Sequence, residues 1–296
     1  MIHALQINTN IMCRIKSFDF ISKYYNFLIF LNHKFKLRIN IFIKYKNLLL
    51  YVLNRVYRLF GKDWNAFYSW SLNRIEKKNS FKKIKAQNRV HGFYSLNVGE
   101  DLRDVLIEDG LSKENTFLDF GCGYGRIAIP IIKYLDSNKY VGLDLSEERI
   151  RLAKEYVEDQ KLNNKKPLFL TNINRTPAEL LKRKFDVILI YTVIGHNPIK
   201  EVENIINSLV PNLEKNGSIY FDYANPSNED HYMTVLGFKI KLSVKDYRHT
   251  DNEIHKILNN LKLNYTFIEN KEKKGFKWKL NKELDTNRKF IKAYHK

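Results

Sequence analysis

The stretch Leu118-Asp-Phe-Gly-Cys-Gly-Tyr-Gly-Arg126 decides the fold of this 296-residue chain. It joins a short apolar strand, predicted over 116–120, to an isoleucine-rich segment, 126–135, that is typical of a helix. The three glycines, Gly121, Gly123 and Gly125, let the backbone turn sharply and approach a ligand without interference from Cβ atoms. The backbone amides around Gly121 to Gly125, together with the unpaired N–H donors at the start of the helix, are expected to face this ligand. This order of strand, loop and helix predicts a ligand site at the end of the strand.

The alternation of strands and helices continues beyond this loop. Further strands are predicted at 140–143, 167–170, 185–191 and 218–221, with two final strands at 264–269 and 288–294. The predicted helices run from an N-cap at Ser146 to about 160, over about 202–213, and over 251–261. Because helical segments separate the strands, the strands are expected to be parallel, with helices on both faces of the sheet. The sequence therefore predicts a doubly wound, Rossmann-like α/β fold with a mostly parallel seven-stranded sheet.

The glycine loop does not fit the usual dinucleotide fingerprint. That fingerprint, G-x-G-x-x-G, would place its third glycine at position 126, where this chain has Arg126. The acidic residue before the loop, Asp119, also fits a pyrophosphate poorly. Asp144 follows the second strand, 25 positions after Asp119. This separation is close to the roughly 20 residues that precede a ribose-binding carboxylate in a βαβ unit.

Several stretches in order resemble the class I S-adenosylmethionine-dependent methyltransferases. The stretch Leu118 to Arg126 resembles the first motif of that family, and Tyr140-Val-Gly-Leu-Asp144-Leu-Ser146 resembles the second, whose acidic residue holds the ribose. The stretch Phe185 to His196 resembles the fourth strand and the turn after it, and Leu213 to Gly217 resembles the glycine turn into the fifth strand. The resemblance is strong over about 96–225 and extends over 226–296 only by pattern. It implies a methyltransferase whose cofactor is S-adenosyl-L-methionine.

The resemblance also implies which residues contact the cofactor. These are Asp119, Gly121, Gly123, Gly125, Arg126, Asp144, Asn172 and Tyr191. Arg126 is expected either to reach the methionine carboxylate or to cap a surface, and Tyr191 either to line the methyl end of the pocket or to pack ordinarily. Where the family has an acidic residue that accepts from the adenine amino group, this chain has Asn172, with Asn174 as the alternative.

The catalytic candidate is His196, in the turn after the fourth strand. Its ring could remove a proton from an acceptor hydroxyl or amine, and the alternative is a structural role in the turn. A dedicated base is optional, because the sulfonium supplies the activation and the protein mainly aligns the reactants. No base-gripping [DNS]-P-P-[YFW] tetrad follows the fourth strand, and no acidic set suggests a metal. The tip Tyr191-Thr-Val-Ile-Gly-His196 instead resembles the branch of the family that acts on small molecules and biosynthetic intermediates, which implies a small biosynthetic acceptor methylated on oxygen or nitrogen.

The net charge of +19 is concentrated in the two flanks of the chain. Residues 1–95 carry +15 and residues 231–296 carry +9, whereas residues 96–230 carry −5. Basic flanks leave open an RNA methyltransferase that uses them to bind phosphates. An AT-rich coding sequence, which enriches lysine and asparagine, would explain the same charge without any partner.

Three segments are predicted along the chain. Residues 1–61 form a basic, apolar-rich N-terminal arm, with a strand pattern over 35–43 and an amphipathic helix pattern over 49–60. Residues 62–95 form a helical cap and connection, and residues 96–296 form the methyltransferase domain. The arm could pack on the domain or lie on an anionic membrane, so a third alternative is a non-catalytic docking protein on a methyltransferase fold. Two cysteines, no membrane-spanning stretch and no secretory signal lead us to expect a cytoplasmic protein.

Overall fold

The fold is described from a computed structural model. It describes residues 69, 73, 77, 98–171, 182–226, 232–235, 238–241, 247–268 and 288–296. The chain divides into two compact units, of which the first comprises Met1–Phe67 and Asp230–Val244, and the second Tyr68–Glu229 and Lys245–Lys296. The described strands are β1 (Phe117–Phe120), β2 (Tyr140–Asp144), β3 (Leu168–Thr171), β4 (Phe185–Ile190), β5 (Leu213–Ala224), β6 (Tyr232–Val235), β7 (Phe238–Lys241), β8 (Leu263–Phe267) and β9 (Arg288–His295). The described α-helices are α1 (Val98–Glu108), α2 (Ala128–Tyr134), α3 (Glu147–Asp159), α4 (Ile199–Leu209) and α5 (Asp251–Asn260).

The second unit contains a seven-stranded sheet in the order β3-β2-β1-β4-β5-β9-β8. Strands β1 to β5 are parallel to their neighbours, β9 is antiparallel to β5, and β8 is antiparallel to β9. The predicted mostly parallel, doubly wound sheet is thus confirmed. The strand order reverses between β1 and β4, and ligands of open α/β sheets bind outside the carboxyl ends of the strands at such a point. In the first unit, the described strands β6 and β7 pair as an antiparallel hairpin.

Both faces of this sheet are covered by helices. Every residue of β1 and β2 is buried, as expected for strands with helices on either side. Side chains alternate across the sheet, so that Leu118 packs in the cluster formed with α4 and α5. Phe117 packs in the opposite cluster, which includes residues of α1, α2 and α3. Each helix packs on the sheet through apolar residues spaced three or four positions apart. On α4 the buried residues are Val202, Ile205, Ile206 and Leu209.

The structure corrects several sequence-based element boundaries. Helix α1 was not predicted, although Leu102 and Leu106 lie one turn apart and are both buried. Strand β5 is longer than predicted, because the stretch read as a glycine turn already pairs with β4 at Leu213. Helix α4 ends at Leu209 and a short 3-10 turn continues to 212, so the helix predicted to about 213 is shorter. In the parts of the chain that the structure describes, no helix combines the length and apolarity needed to cross a bilayer.

The predicted elements of the first 61 residues lie outside the described residues. Within the predicted cap, 62–95, the described residues Ser69 and Asn73 are helical. The proposed boundaries at 61 and 95 remain predictions.

Candidate functional site

The glycine loop lies at the carboxyl end of β1, next to the point where the strand order reverses. Gly121, Gly123 and Gly125 all have positive φ angles, of +87°, +55° and +84°. A Cβ at position 121 would overlap Val193 Cγ2, from the turn after β4. A Cβ at Gly123 would meet no atom of the residues that the structure describes within 4 Å. The loop therefore packs tightly on the post-β4 turn at 121 and is open at 123.

Backbone hydrogen bonds attach the glycine loop to β2. The amides of Gly121 and Cys122 donate to the Leu143 carbonyl, at 2.7 and 2.9 Å. The Gly123 amide donates to Asp144 Oδ2 at 3.0 Å, and the Gly125 amide donates to the Cys122 carbonyl at 3.0 Å. These four donors are thus satisfied by the protein itself, which differs from the sequence-based expectation that the loop offers its amides to a ligand. Helix α2 also begins at Ala128, two residues later than predicted.

Asp144 lies directly beside the loop, as its spacing predicted. Its side chain is 6% exposed, Oδ2 accepts from the Gly123 amide, and Oδ1 accepts from the Ser146 amide at 2.9 Å. A carboxylate has about four acceptor positions on its two oxygens. Two positions therefore remain for other donors, which is the number that the two hydroxyls of a ribose require.

Asp119 lies beneath the loop and forms a buried pair with Tyr140. The Tyr140 hydroxyl donates to Asp119 Oδ2 at 2.8 Å, and the Asp119 side chain is 1% exposed. The pKa of Asp119 is raised to about 7, mainly by burial and also by the nearby Asp144 charge, while the Tyr140 hydrogen bond and the Arg126 charge oppose the rise. Arg126, itself half-buried, is thus close enough to Asp119 to act on its titration.

We expect the stability of the protein to depend on pH through the protonation of the Asp119 carboxyl group. Its pKa is 3.8 in the unfolded reference and about 7 in the folded protein, so the folded state retains a proton that the unfolded state releases. The contribution of this group to the free energy of unfolding is therefore highest below about pH 4. It amounts to about 4 kcal/mol and is lost as the pH rises through 7. Urea unfolding of wild type and Asp119→Asn at pH 5 and pH 8 should show the variant relatively more stable at pH 8. The same stability difference at both pH values would contradict this burial effect.

The turn after β4 places His196 at the same edge of the sheet. His196 ends a 3-10 turn, Ile194–His196, and its side chain is half-buried. The turn is anchored where the Thr192 amide donates to Asp222 Oδ1 at 2.5 Å, and Asp222 also forms an ion pair with Arg288. Tyr191, the residue before Thr192, is 4% exposed. Its ring makes an edge contact with Phe290 at 6.4 Å between centroids.

A residue that the sequence analysis did not single out, His249, holds this turn in place. Its Nε2 lies 3.1 Å from the Asn197 carbonyl oxygen and 3.4 Å from that of Ile194. Because carbonyl oxygens only accept, this geometry assigns the proton to Nε2. The His249 amide donates to the Ala224 carbonyl at 3.0 Å, so residue 249 joins the turn to the end of β5.

Replacing His249 with alanine should lower the free energy of unfolding by about 1–3 kcal/mol, because buried carbonyl groups would lose their donor. Chemical denaturation of the variant would measure the loss. His295→Ala, at the end of β9 and half-buried, provides the control and should cost less. Equal, small losses in both variants would show that the turn does not depend on His249.

The structure brings most of the predicted site together. Asp119, the three loop glycines, Arg126 and Asp144 lie around the ends of β1 and β2, and Tyr191 and His196 follow β4. Asn172 and its alternative Asn174 lie outside the described residues. Within the described ranges, no group of three or more His, Cys, Asp or Glu side chains could hold a metal ion.

Comparisons with known proteins agree with this arrangement. Residues 118–219 match the family model of a methyltransferase domain. The ribosomal protein L11 methyltransferase of Haemophilus influenzae is 35% identical over 103 residues, which are 34% of this chain and 32% of that protein. The ubiquinone biosynthesis O-methyltransferase of Coxiella burnetii is 26% identical over 123 residues, which are 40% of this chain and 48% of that protein. A solved structure from Pyrococcus horikoshii, 16% identical, has a TM-score of 0.50 and covers 73% of this chain and 99% of its own, a likeness of fold alone.

The matched segment, the strand order and the glycine loop beside Asp144 define one class of protein. Residues 118–219 match a methyltransferase domain, and the sheet that contains them has the Rossmann-like α/β fold of the S-adenosylmethionine-dependent methyltransferases. The similarity spans about a third of the L11 methyltransferase and about half of the ubiquinone enzyme. It therefore identifies the domain and leaves the acceptor to be argued from the site.

Proposed function

We propose that this chain transfers a methyl group from S-adenosylmethionine to an oxygen or nitrogen atom of a small biosynthetic acceptor. The observation that carries the proposal is the position of Asp144, which is buried, bonded to the glycine loop and left with two acceptor positions. Charge-assisted hydrogen bonds from two adjacent hydroxyls would fill these positions and are stronger than neutral ones. A ribose presents such a pair.

The other residues of the site are assigned by their positions around Asp144. The open face at Gly123 admits a ligand close to the backbone, and Gly121 and Gly125 shape the rest of the loop. Asp119 steadies the loop and meets the methionine amino group, directly or through water, and Arg126 is assigned to the methionine carboxylate. Asn172 would accept from the adenine amino group, and Tyr191 would form a wall near the methyl group.

The bound cofactor supplies a methyl group already activated by a sulfonium. With this cofactor bound, the acceptor atom would displace the sulfur: the bond to the methyl carbon would form as the carbon–sulfur bond breaks, and the acceptor would lose a proton. His196, in the turn next to the loop, is the candidate to take that proton. The remaining work of the protein is to align the acceptor and to exclude water.

The charge distribution favours a small acceptor. Residues 96–230, which form most of the site, carry a net charge of −5, whereas binding to RNA phosphates needs a basic surface. The sequence after β4 also lacks the tetrad with which nucleic-acid amino methyltransferases grip a base. A second candidate is a protein acceptor, because curated relatives above 30% identity are named ribosomal protein L11 methyltransferases.

Two measurements test the proposal in sequence. Isothermal titration calorimetry with S-adenosylmethionine and S-adenosylhomocysteine should show binding, and its absence at millimolar concentration would overturn the proposal. Labelled methyl transfer to an extract of the source organism, separated into small-molecule, RNA and protein fractions, then identifies the acceptor class. Label in the small-molecule fraction supports the proposal. Label only in RNA or only in protein would overturn the proposed small-molecule acceptor and identify the other class instead. Binding without any transfer would indicate a non-catalytic role.

A further inference from the structure

Two side chains from the segment before α1 contact the turn that follows Asp144. Ser69 and Asn73 are each helical, and Asn73 Nδ2 lies 3.5 Å from the Ser69 hydroxyl oxygen. The Ser69 hydroxyl donates to the Leu145 carbonyl at 2.7 Å, and Ser69 as a whole is only 5% exposed. Asn73 Oδ1 accepts from the Ser146 hydroxyl at 2.7 Å. Both contacts join residues more than seventy positions apart in the sequence.

The Asn73 amide oxygen organises the start of α3. The Ser146 hydroxyl accepts from the Arg149 amide at 3.2 Å as the N-cap of this helix, and its own hydrogen goes to Asn73. Asn73 Oδ1 also accepts from the Glu148 amide at 3.3 Å, one of the donors that a helix start leaves without an intrahelical partner. Asn73 thus satisfies two donors within three residues and fixes the rotation of the Ser146 hydroxyl.

This turn in turn fixes the orientation of Asp144. Asp144 Oδ1 accepts from the Ser146 amide, and Oδ2 accepts from the Gly123 amide. The carboxylate is therefore held between the glycine loop on one side and the turn on the other. A change in the backbone at 145–148 would rotate the carboxylate and move its remaining acceptor positions.

We infer that Asn73, supported by Ser69, is a positioning residue for the ribose of the cofactor. It holds the turn at 145–148 in the conformation in which Asp144 accepts from both ribose hydroxyls. This inference rests on the proposed function, and it adds to it that a side chain outside the matched domain segment sets the cofactor affinity. By linkage, cofactor binding stabilises the contact of residues 69 and 73 with the turn.

The test compares two ligands on matched variants by calorimetry. We expect Asn73→Ala to weaken S-adenosylhomocysteine binding about 3- to 10-fold, the value of one hydrogen bond. With the 2′,3′-dideoxy analogue, which has no hydroxyl for Asp144, the variant and the wild type should bind equally. Asn115→Ala is the control, because Asn115 Oδ1 accepts from the Ser112 amide at 2.8 Å before β1, at the opposite edge of the sheet. Its affinity for both ligands should equal that of the wild type.

Rescue by a conservative variant completes the test. Asn73→Asp keeps the acceptor oxygen, and its charge is favourable at the start of α3, so its affinity should return close to that of the wild type. An equal loss of both ligands in Asn73→Ala, or no loss of either, would overturn the inference while leaving the proposed function in place. A wild type that binds neither ligand would instead overturn the proposed function, and the inference with it.

Discussion

Replacing Asp144 with alanine is expected to weaken the binding of S-adenosylhomocysteine by about 10- to 150-fold. The change removes the acceptor for both ribose hydroxyls, and hydrogen bonds to a charged group contribute about 1.5–3 kcal/mol. Because both hydroxyls bind the same carboxylate, the expected factor includes the free energy of one such hydrogen bond and not of two. Titration calorimetry of the folded variant measures the loss directly.

The same substitution also affects the protein itself, and the two effects must be separated. The amides of Gly123 and Ser146 lose their acceptor, so the free energy of unfolding should fall by about 1–3 kcal/mol. Asp136→Ala is the matched control, because Asp136 is an exposed carboxylate in the turn before β2, at the opposite edge of the sheet. Its affinity for the ligand should be unchanged. A folded Asp144→Ala variant that binds as tightly as the wild type would show that Asp144 does not hold the ribose.

Those parts of the site that adjoin one another along a βαβ unit could be predicted from the sequence. The strand, the glycine loop and Asp144 occur within about thirty residues, and parallel pairing of β1 with β2 brings them to the same edge. Leu143 accepts from two loop amides, which is a direct consequence of that pairing. Here the pattern of residue types contains the geometry, because few arrangements of two parallel strands are sterically allowed.

The supporting residues could not be predicted in the same way. His249 reaches the carbonyl groups of Ile194 and Asn197 across more than fifty positions, and no spacing in the sequence relates them. Asn73 reaches the backbone amide of Glu148 across 75 positions. Polar side chains of this kind pair with backbone groups, which every residue has, so the partner leaves no signature in the sequence. Only the folded arrangement identifies them.

The hydrogen bonds of the glycine-loop amides within the protein are another feature that the sequence did not reveal. The start of a helix generally leaves N–H donors unpaired, which led us to expect these donors at the ligand. In the structure, β2 and Asp144 take up the amides of 121, 122 and 123 before the helix begins at Ala128. We therefore expect the loop to contribute to binding through its shape and its lack of side chains, and substitutions of the glycines test this most directly.

Gly123→Ala is expected to weaken S-adenosylhomocysteine binding by at least about 30-fold while the protein remains folded. The φ angle of +55° makes alanine strained there, at a cost of about 1–3 kcal/mol. The added methyl group would meet no atom of the described residues within 4 Å, at a position whose amide is bonded to Asp144. This is the space assigned to the cofactor, and a loss of about 2 kcal/mol on binding corresponds to the expected factor.

Two other glycines separate the causes of such a loss. Gly110 also has a positive φ, +109°, and open space around an added Cβ, but it lies after α1, away from the loop. Gly110→Ala should therefore cost at least as much stability as Gly123→Ala and leave binding unchanged. Gly121→Ala adds an overlap with Val193 to the backbone strain, so its free energy of unfolding should fall by about 3 kcal/mol or more. If Gly123→Ala and Gly110→Ala bind the ligand equally well, the open side of the loop is not where the cofactor lies.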